Sequence, residues 1–215
     1  RKYAAVDFMW QRAWDGVWML NAAYTWSHSW GNNEGYVRSD NGQDDAGLTT
    51  LFDQPGLLDN AYGDLPNDRR HQVKLYGAYA VTEDLTLGAN LQFWTGRPIN
   101  AFGYHPTDTF AQAYDSESFF AGGEPAPRGS RGRTSSYYSI DVSASYNIDI
   151  GEDQTLVVRA DIFNLLNNDR VTEVNEIYDD ESSADPTNPD VNPNYGLPTA
   201  WQTPRYVRFS VNYSF

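Results

Sequence analysis

Fifteen basic residues stand against 29 acidic ones in this 215-residue chain, and their placement bounds the chemistry it can do. Four arginines, Arg97, Arg128, Arg131 and Arg133, bracket residues 97–134. Guanidinium forks grip phosphate and carboxylate bidentately, so these four are candidates for an anionic substrate or lipopolysaccharide phosphates. Arg97, Arg131 and Arg133, with Trp30 and Tyr104 as stacking surfaces for a sugar or peptide, are the candidate loop contacts for a ligand. The alternative, and the preferred reading, is that the arginines pair with neighbouring acidic stretches. Residues 31–68 and 178–190 carry 13 of the 29 acids, with Arg38 as their only basic residue. Asp40, Asp44 and Asp45, and separately Asp179, Asp180, Glu181, Asp185 and Asp190, offer oxygens to Ca²⁺. Neither run has the spacing of a calcium loop, so solvated, mutually repelling charge is expected.

His28, His71 and His105 have no metal-ligand spacing between them. Cysteine is absent, which removes disulfides, thiol catalysis and thiolate-held zinc. Ser27-His28-Ser29 puts a hydroxyl beside an imidazole at the end of a strand, where packing is the preferred role. No catalysis, metal or cofactor is expected. The net charge of −14 argues against nucleic acid, whose phosphates need a basic surface.

The elements that must position these groups are strands. Residues 2–13 place Val6, Phe8 and Trp10 on one face and Asp7, Met9 and Gln11 on the other. After a turn at 14–16, Trp18, Leu20, Ala22, Tyr24 and Trp26 share a face. A second hairpin carries Val73, Leu75, Tyr79 and Val81, turns at 82–84, and returns through Leu85, Leu87, Ala89, Leu91 and Phe93. A third runs Tyr138, Ile140, Val142, Ala144, Tyr146 and Ile148, turns at 151–153, and returns through Leu156, Val158, Ala160 and Ile162. The last strand alternates Val207, Phe209, Val211, Tyr213 and Phe215 with polar neighbours. Apolar positions keep one parity within each hairpin, as cross-strand partners on one face require. The opposite face carries Lys74, Asp141, Ser143, Arg159, Asp161 and Arg208. These line a substrate path or plug contact, or form a cross-strand charge ladder worth roughly a few tenths of a kcal/mol per pair. The ladder is preferred.

No apolar run approaches the ~18 residues of a membrane helix. Short turns alternate strictly with long connections near 31–70, 97–134 and 178–204. That rhythm, with aromatics at 15% and alternate apolar positions, is the pattern of an antiparallel transmembrane β-barrel with periplasmic turns and extracellular loops. Aromatics at the strand ends suit its interfacial girdles, while Trp26, Trp30, Tyr36, Phe102 and Tyr104 serve equally as girdle, loop packing or stacking surface. Seven strands cannot close a bacterial barrel, and an open edge cannot sit in lipid. The chain is therefore expected to be part of a larger barrel. The alternation breaks at residues 163–170, read as a kink in one long strand that resumes at Val171. A hairpin at Asn167-Asn168 is the alternative, and it would give eight strands.

Three features resemble TonB-dependent outer-membrane receptors. Phe209-x-Val211-x-Tyr213-x-Phe215 looks like the C-terminal signal read by the barrel-assembly machinery. Asp161-Ile162-Phe163-Asn164-Leu165-Leu166-Asn167 is similar to a segment of the penultimate strand. The runs 40–47, 65–71, 95–100 and 194–198 resemble the Oar-like branch. The resemblance implies a 22-stranded barrel, of which this chain is about the last seven strands. It also implies a plug, a TonB box and a periplasmic domain lying outside residues 1–215. Partners implied are outer-membrane lipid and lipopolysaccharide, the assembly machinery, TonB through the N-terminal region, an unidentified substrate and a surface lipoprotein. The competing classes are a small self-contained barrel of structural or adhesive role, and a soluble glycan-binding β-sandwich.

Overall fold

The computed structural model describes residues 1–40, 49–151 and 154–215. The acids Asp44 and Asp45, most of the run 40–47, and Glu152-Asp153 of the third turn lie outside them. The strands are β1 (Lys2–Arg12), β2 (Trp18–Gly31), β3 (Gly63–Asp64), β4 (His71–Ala80), β5 (Leu85–Trp94), β6 (Phe120–Ala121), β7 (Glu124–Pro125), β8 (Tyr137–Gly151), β9 (Gln154–Phe163), β10 (Val171–Val174), β11 (Pro198–Trp201) and β12 (Tyr206–Ser214). Seven of these form an antiparallel wall in the order β1-β2-β4-β5-β8-β9-β12, with β3 lengthening the partner edge of β2. β1 pairs with β2 alone and β12 with β9 alone, so the wall stays open.

Register carries the sequence parity from β2 to β12. One row runs Leu20, Gly77, Ala89, Val142, Ile162 and Val207, apolar at every step. One residue along, Asn21, Tyr76, Asn90 and Asp141 form the adjacent row on the opposite, polar face. A one-residue slip in any pair would exchange the faces, which is why apolar periodicity specifies the register. Side chains close the turns. Asp15 accepts from the backbone N–H groups of Val17 and Trp18 at 2.9 Å each, and these bonds, that of Trp18 foremost, hold its carboxyl at about 2. Thr82 does the same for Leu85 at 3.0 Å.

The long connections span 32–70, 95–136 and 164–205, and they fold into a cap of short elements. A 3-10 turn at Pro55–Leu58 lies against α1 (Thr109–Gln112), whose N-terminus Asp108 caps by accepting from Phe110 and Ala111. β6 pairs with β7, and β10 with β11. Two glycines are obligatory for steric reasons. A Cβ on Gly63 would stand 2.0 Å from the Arg128 carbonyl oxygen, and one on Gly96 1.8 Å from that of Thr134.

The third connection is longer than expected. β9 ends at Phe163, and Asn164 and Asn167 adopt φ of 49° and 52°, a left-handed conformation that asparagine tolerates. Asn164 fixes the turn by donating to the carbonyls of Asn168 and Thr203. The chain does resume at Val171, but β10 pairs with β11 outside the wall. No continuous kinked strand forms. β12 returns antiparallel to β9, so 167–168 is not a hairpin of the wall either.

Among the described residues, every buried apolar side chain lies in the cap and none in the seven wall strands. Leu51, Ala61, Phe102 and Phe119 form one cluster, and Ala101, Ala121 and Ala126 another.

Candidate functional site

The cap is built on buried ion pairs. Arg38, 2% exposed, donates to Asp40 at 3.0 Å and to the Glu117 carboxylate, and lies over the rings of Phe102 and Phe119. Arg128, 3% exposed, covers Phe119 at 4.4 Å, binds Asp40 at 2.7 Å and donates to the Ala61 carbonyl at 2.8 Å. Asp40 thus bridges two guanidiniums that frame one phenyl ring. Desolvation lowers the pKa of Arg128 and the Asp40 carboxylate opposes it. Among the described aspartates proposed for Ca²⁺, Asp40 is saturated by arginine.

A seam joins the second and third connections. Glu176 meets Arg97 at 2.6 Å and accepts from both the backbone and side-chain nitrogens of Asn100 at 2.8 Å. Burial pushes its carboxyl to about 7, with Arg97 opposing and Asp40 reinforcing. Asp179, fully buried, accepts from the backbone of Tyr104 and Gly122, both at 2.9 Å. Burial raises its pKa while those two bonds lower it. The backbone of Tyr178 donates to Phe102 at 2.7 Å, extending the seam.

A third cluster sits where the wall strands enter the cap. Arg133 and Arg70 both bind Asp64 and Asp68, and His28 contacts Asp64 at 2.8 Å. Burial raises the Asp68 pKa, but hydrogen bonds from Arg133 and the Ser29 backbone, with the charges of Arg133 and Arg70, bring it below its ordinary value.

The five loop positions marked for ligand contact fall in different settings. Arg97 and Arg133 are in the ion pairs above. Tyr104 is buried, its hydroxyl donating to the Glu181 carbonyl at 3.2 Å. Trp30 is half-buried and stacks on His28 with centroids 4.4 Å apart. Arg131 is exposed. Phe102, weighed as a stacking surface, is core. Among the described residues Tyr36, Phe52, Tyr62, Phe110 and Trp201 are the exposed aromatics of the cap.

On the polar face of the wall, Asp161 sits between Arg159 at 2.8 Å and Arg208 at 2.9 Å. Asp141 accepts from the Ser139 hydroxyl, the Asn164 backbone and the Asn90 amide. Lys74 lies between Ala23 and Gln92, exposed. The end of the chain, Phe209, Val211, Tyr213 and Phe215, is exposed throughout. Among the described residues no group of His, Asp and Glu is arranged to hold a metal.

Sequence reasoning passed over Asn100, Glu176 and the pair Asp64/Asp68 as cap-builders. The motifs 65–71 and 95–100 were visible. What was not visible is that they meet, with Arg133 donating to the carbonyls of both Asp68 and Gly96.

No protein-family model matches the chain. Over its whole length it is 32% identical, across 248 aligned residues, to the TonB-dependent transporter Oar of Myxococcus xanthus, of which it spans 22%. Its fold resembles the siderophore receptor PiuA from Acinetobacter baumannii, with a TM-score of 0.54 at 14% identity, covering 99% of this chain and 22% of that one. The ferripyoverdine receptor of the outer membrane of Pseudomonas aeruginosa gives 0.51 at 13%, covering 99% and 19%. At such identities the solved structures speak for the fold alone. With its whole length matched to about a fifth of Oar, and an antiparallel wall with one apolar and one polar face, this chain resembles part of the barrel of a TonB-dependent outer-membrane transporter of the Oar-like branch.

Proposed function

We propose that the chain forms the last seven strands of a 22-stranded outer-membrane barrel that captures a substrate through its extracellular loops and imports it with energy from the inner membrane. The observation that carries this reading is the division of the molecule. A wall apolar on one face and polar on the other has short turns at one end and a folded cap at the other. A lipid-facing surface on one side and a wet lumen on the other follow from that alternation. The turns at 13–17, 81–84 and 151–153 are periplasmic, and the cap is extracellular. Plug and TonB-contacting segments belong to other parts of the transporter, and the assembly machinery reads Phe209–Phe215. In this reading the protein is a transporter of a Gram-negative outer membrane and not an enzyme. Lipopolysaccharide surrounds the wall, and a surface lipoprotein is a candidate partner for the cap.

Two measurements test it. The chain has no cysteine, so Tyr36→Cys in the cap and Glu83→Cys in a turn, each in the otherwise intact protein, report sidedness to a membrane-impermeant maleimide. Tyr36→Cys labels in whole cells, and Glu83→Cys only after the outer membrane is opened. Labelling of Glu83→Cys in intact cells overturns the orientation. For transport, a strain lacking the protein and one lacking the energy-coupling complex should leave the same compound unconsumed in spent medium. Identical consumption by wild type and the deletion strain overturns import.

A further inference from the structure

We infer that Arg69 and Arg97 form an oxyanion-binding site at the junction of wall and cap, one that takes a phosphate or carboxylate group.

Charge balance within the cap points there first. Arg38 and Arg128 are matched by Asp40 and Glu117, and Arg70 and Arg133 by Asp64 and Asp68. Arg97 has Glu176 on one nitrogen. Arg69 is half-buried in a chain of net charge −14, yet no carboxylate lies within ion-pair distance of it among the described residues. An arginine left this way in so acidic a protein is a natural partner for an anion from outside.

Geometry supplies the second point. The Nη1 of Arg133 donates to the Asp68 carbonyl at 3.2 Å and to the Gly96 carbonyl at 3.0 Å. These two carbonyls are bonded to the backbone nitrogens of Arg69 and Arg97, so one guanidinium pins the two arginines side by side. Thr134 holds the Arg97 backbone from the other side, through bonds of 3.0 and 2.9 Å. Two like charges so fixed repel, and Arg97 and Arg133 do lower the pKa of Arg69, which burial brings to about 10.

Arg97 supplies the third. It is 8% exposed, and its Nε and Nη1 are buried with no hydrogen-bond acceptor. A buried guanidinium N–H left unpaired costs more than a neutral donor does. An oxyanion held by Arg69 would have Arg97 as a second, fixed positive charge nearby. Glu173 of β10 is the acid whose charge acts on Arg69 from the third connection, too far to form an ion pair, so it is a competitor and not an occupant.

This site goes beyond the transport reading and does not depend on it, because binding needs no energised inner membrane. Two sources share the chemistry: a lipopolysaccharide phosphate or an anionic solute. The test uses the whole transporter, purified in detergent, with radiolabelled orthophosphate in equilibrium dialysis at constant ionic strength. Saturable binding, weakened at least tenfold by Arg69→Gln and unchanged by Arg205→Gln on the exposed rim, supports the site. Glu173→Gln should tighten it, and serves if Arg69→Gln does not fold. Lipid A measured by mass spectrometry on the purified protein separates the sources. One lipid A per wild-type chain, lost in Arg69→Gln, assigns the lipid, and phosphate binding without lipid A assigns a solute. Folded wild type with neither saturable phosphate binding nor bound lipid A, equal occupancy in Arg69→Gln, or weaker binding by Glu173→Gln overturns the proposal.

Discussion

Leu57 in the cap and Leu87 in the wall are the same side chain in opposite situations, one fully buried and the other 44% exposed. The wall is one residue thick and has no interior of its own. Its cohesion comes from ladder hydrogen bonds and from the solvent on each face, lipid on one and water on the other. The cap is built like a small soluble domain, with apolar clusters and ion pairs taken out of water. Long loops are usually read as the soft part of a barrel. Here the loops hold the buried core, and the same kind of substitution should register differently in the two regions.

The largest effect is expected in the cap at Asp40. Asp40→Ala strands Arg38 and Arg128 without their shared carboxylate, and removing one partner of a buried pair costs about 3–5 kcal/mol. Hydrogen exchange should rise across residues 97–134, while the heat-modifiable migration of the barrel stays as in wild type. If the barrel loses its heat-modifiability in parallel, cap and wall are one cooperative unit and the contrast fails.

A comparable charge error in the wall should depend on the face. Ala89 and Asn90 are adjacent in β5, Ala89 in register with Gly77 and Val142, Asn90 with Tyr76 and Asp141. Ala89→Arg places a cation in lipid near the middle of the strand and should destabilise folding by about 2–4 kcal/mol. Asn90→Arg should be close to neutral, since the longer side chain can still reach the Asp141 carboxylate that Asn90 now contacts at 3.2 Å. Denaturant titration in lipid vesicles measures both, and equal costs would mean the faces are misassigned.

Acidity acts on the seam. The Glu176 carboxyl rises from an ordinary 4.5 to about 7 in the folded cap. The folded state therefore binds this proton more tightly than the unfolded chain, and the contribution is full below about 4.5 and lost as pH climbs through about 7. Lowering pH from about 7.5 to about 5.5 should tighten the seam by about 1–2 kcal/mol. Exchange of amides at 97–103 and 175–179, corrected for intrinsic rates, should slow over that range. Glu176→Gln should show the slow rates at both pH values. A seam that loosens on acidification would mean the Arg97 ion pair outweighs burial.

The wall was legible in the sequence because its rule is local. Val142, Ala144 and Tyr146 declare a face within five residues, and hairpin parity propagates it to the next strand. The cap was legible only in outline. Pairing of the bracketing arginines with neighbouring acids is what Arg97, Arg128 and Arg133 do, but Asp40 and Arg128 are 88 positions apart and nothing local matches them. Asp40 in an acid-rich loop suggested a solvated charge, and Phe102 and Tyr104 suggested accessible rings as readily as packing. A usable signal was present in Leu51, Leu57 and Leu65, since a stretch this apolar between two strands needs something to bury against. Asn164 and Asn167 show the limit from the other side. Their break in the alternation was plain, but a left-handed turn and a kink look alike in one dimension.

The smallest effect is expected on the polar face of the wall, at Asp161. Its own side chain is nearly buried, but those of Arg159 and Arg208 are 48% and 61% exposed, so water screens both pairs. Asp161→Asn should cost under about 1 kcal/mol, and its coupling to Arg208→Gln in a double-mutant cycle should fall at about 0.2–1 kcal/mol. Denaturant titration in vesicles measures the coupling. A coupling above about 2 kcal/mol would require Asp161 and Arg208 to be desolvated together. The isolated wall offers nothing to do that. Such a value would mean that another part of the transporter lies over this face, and the ladder would then be a contact surface and not a water-lined strip of lumen.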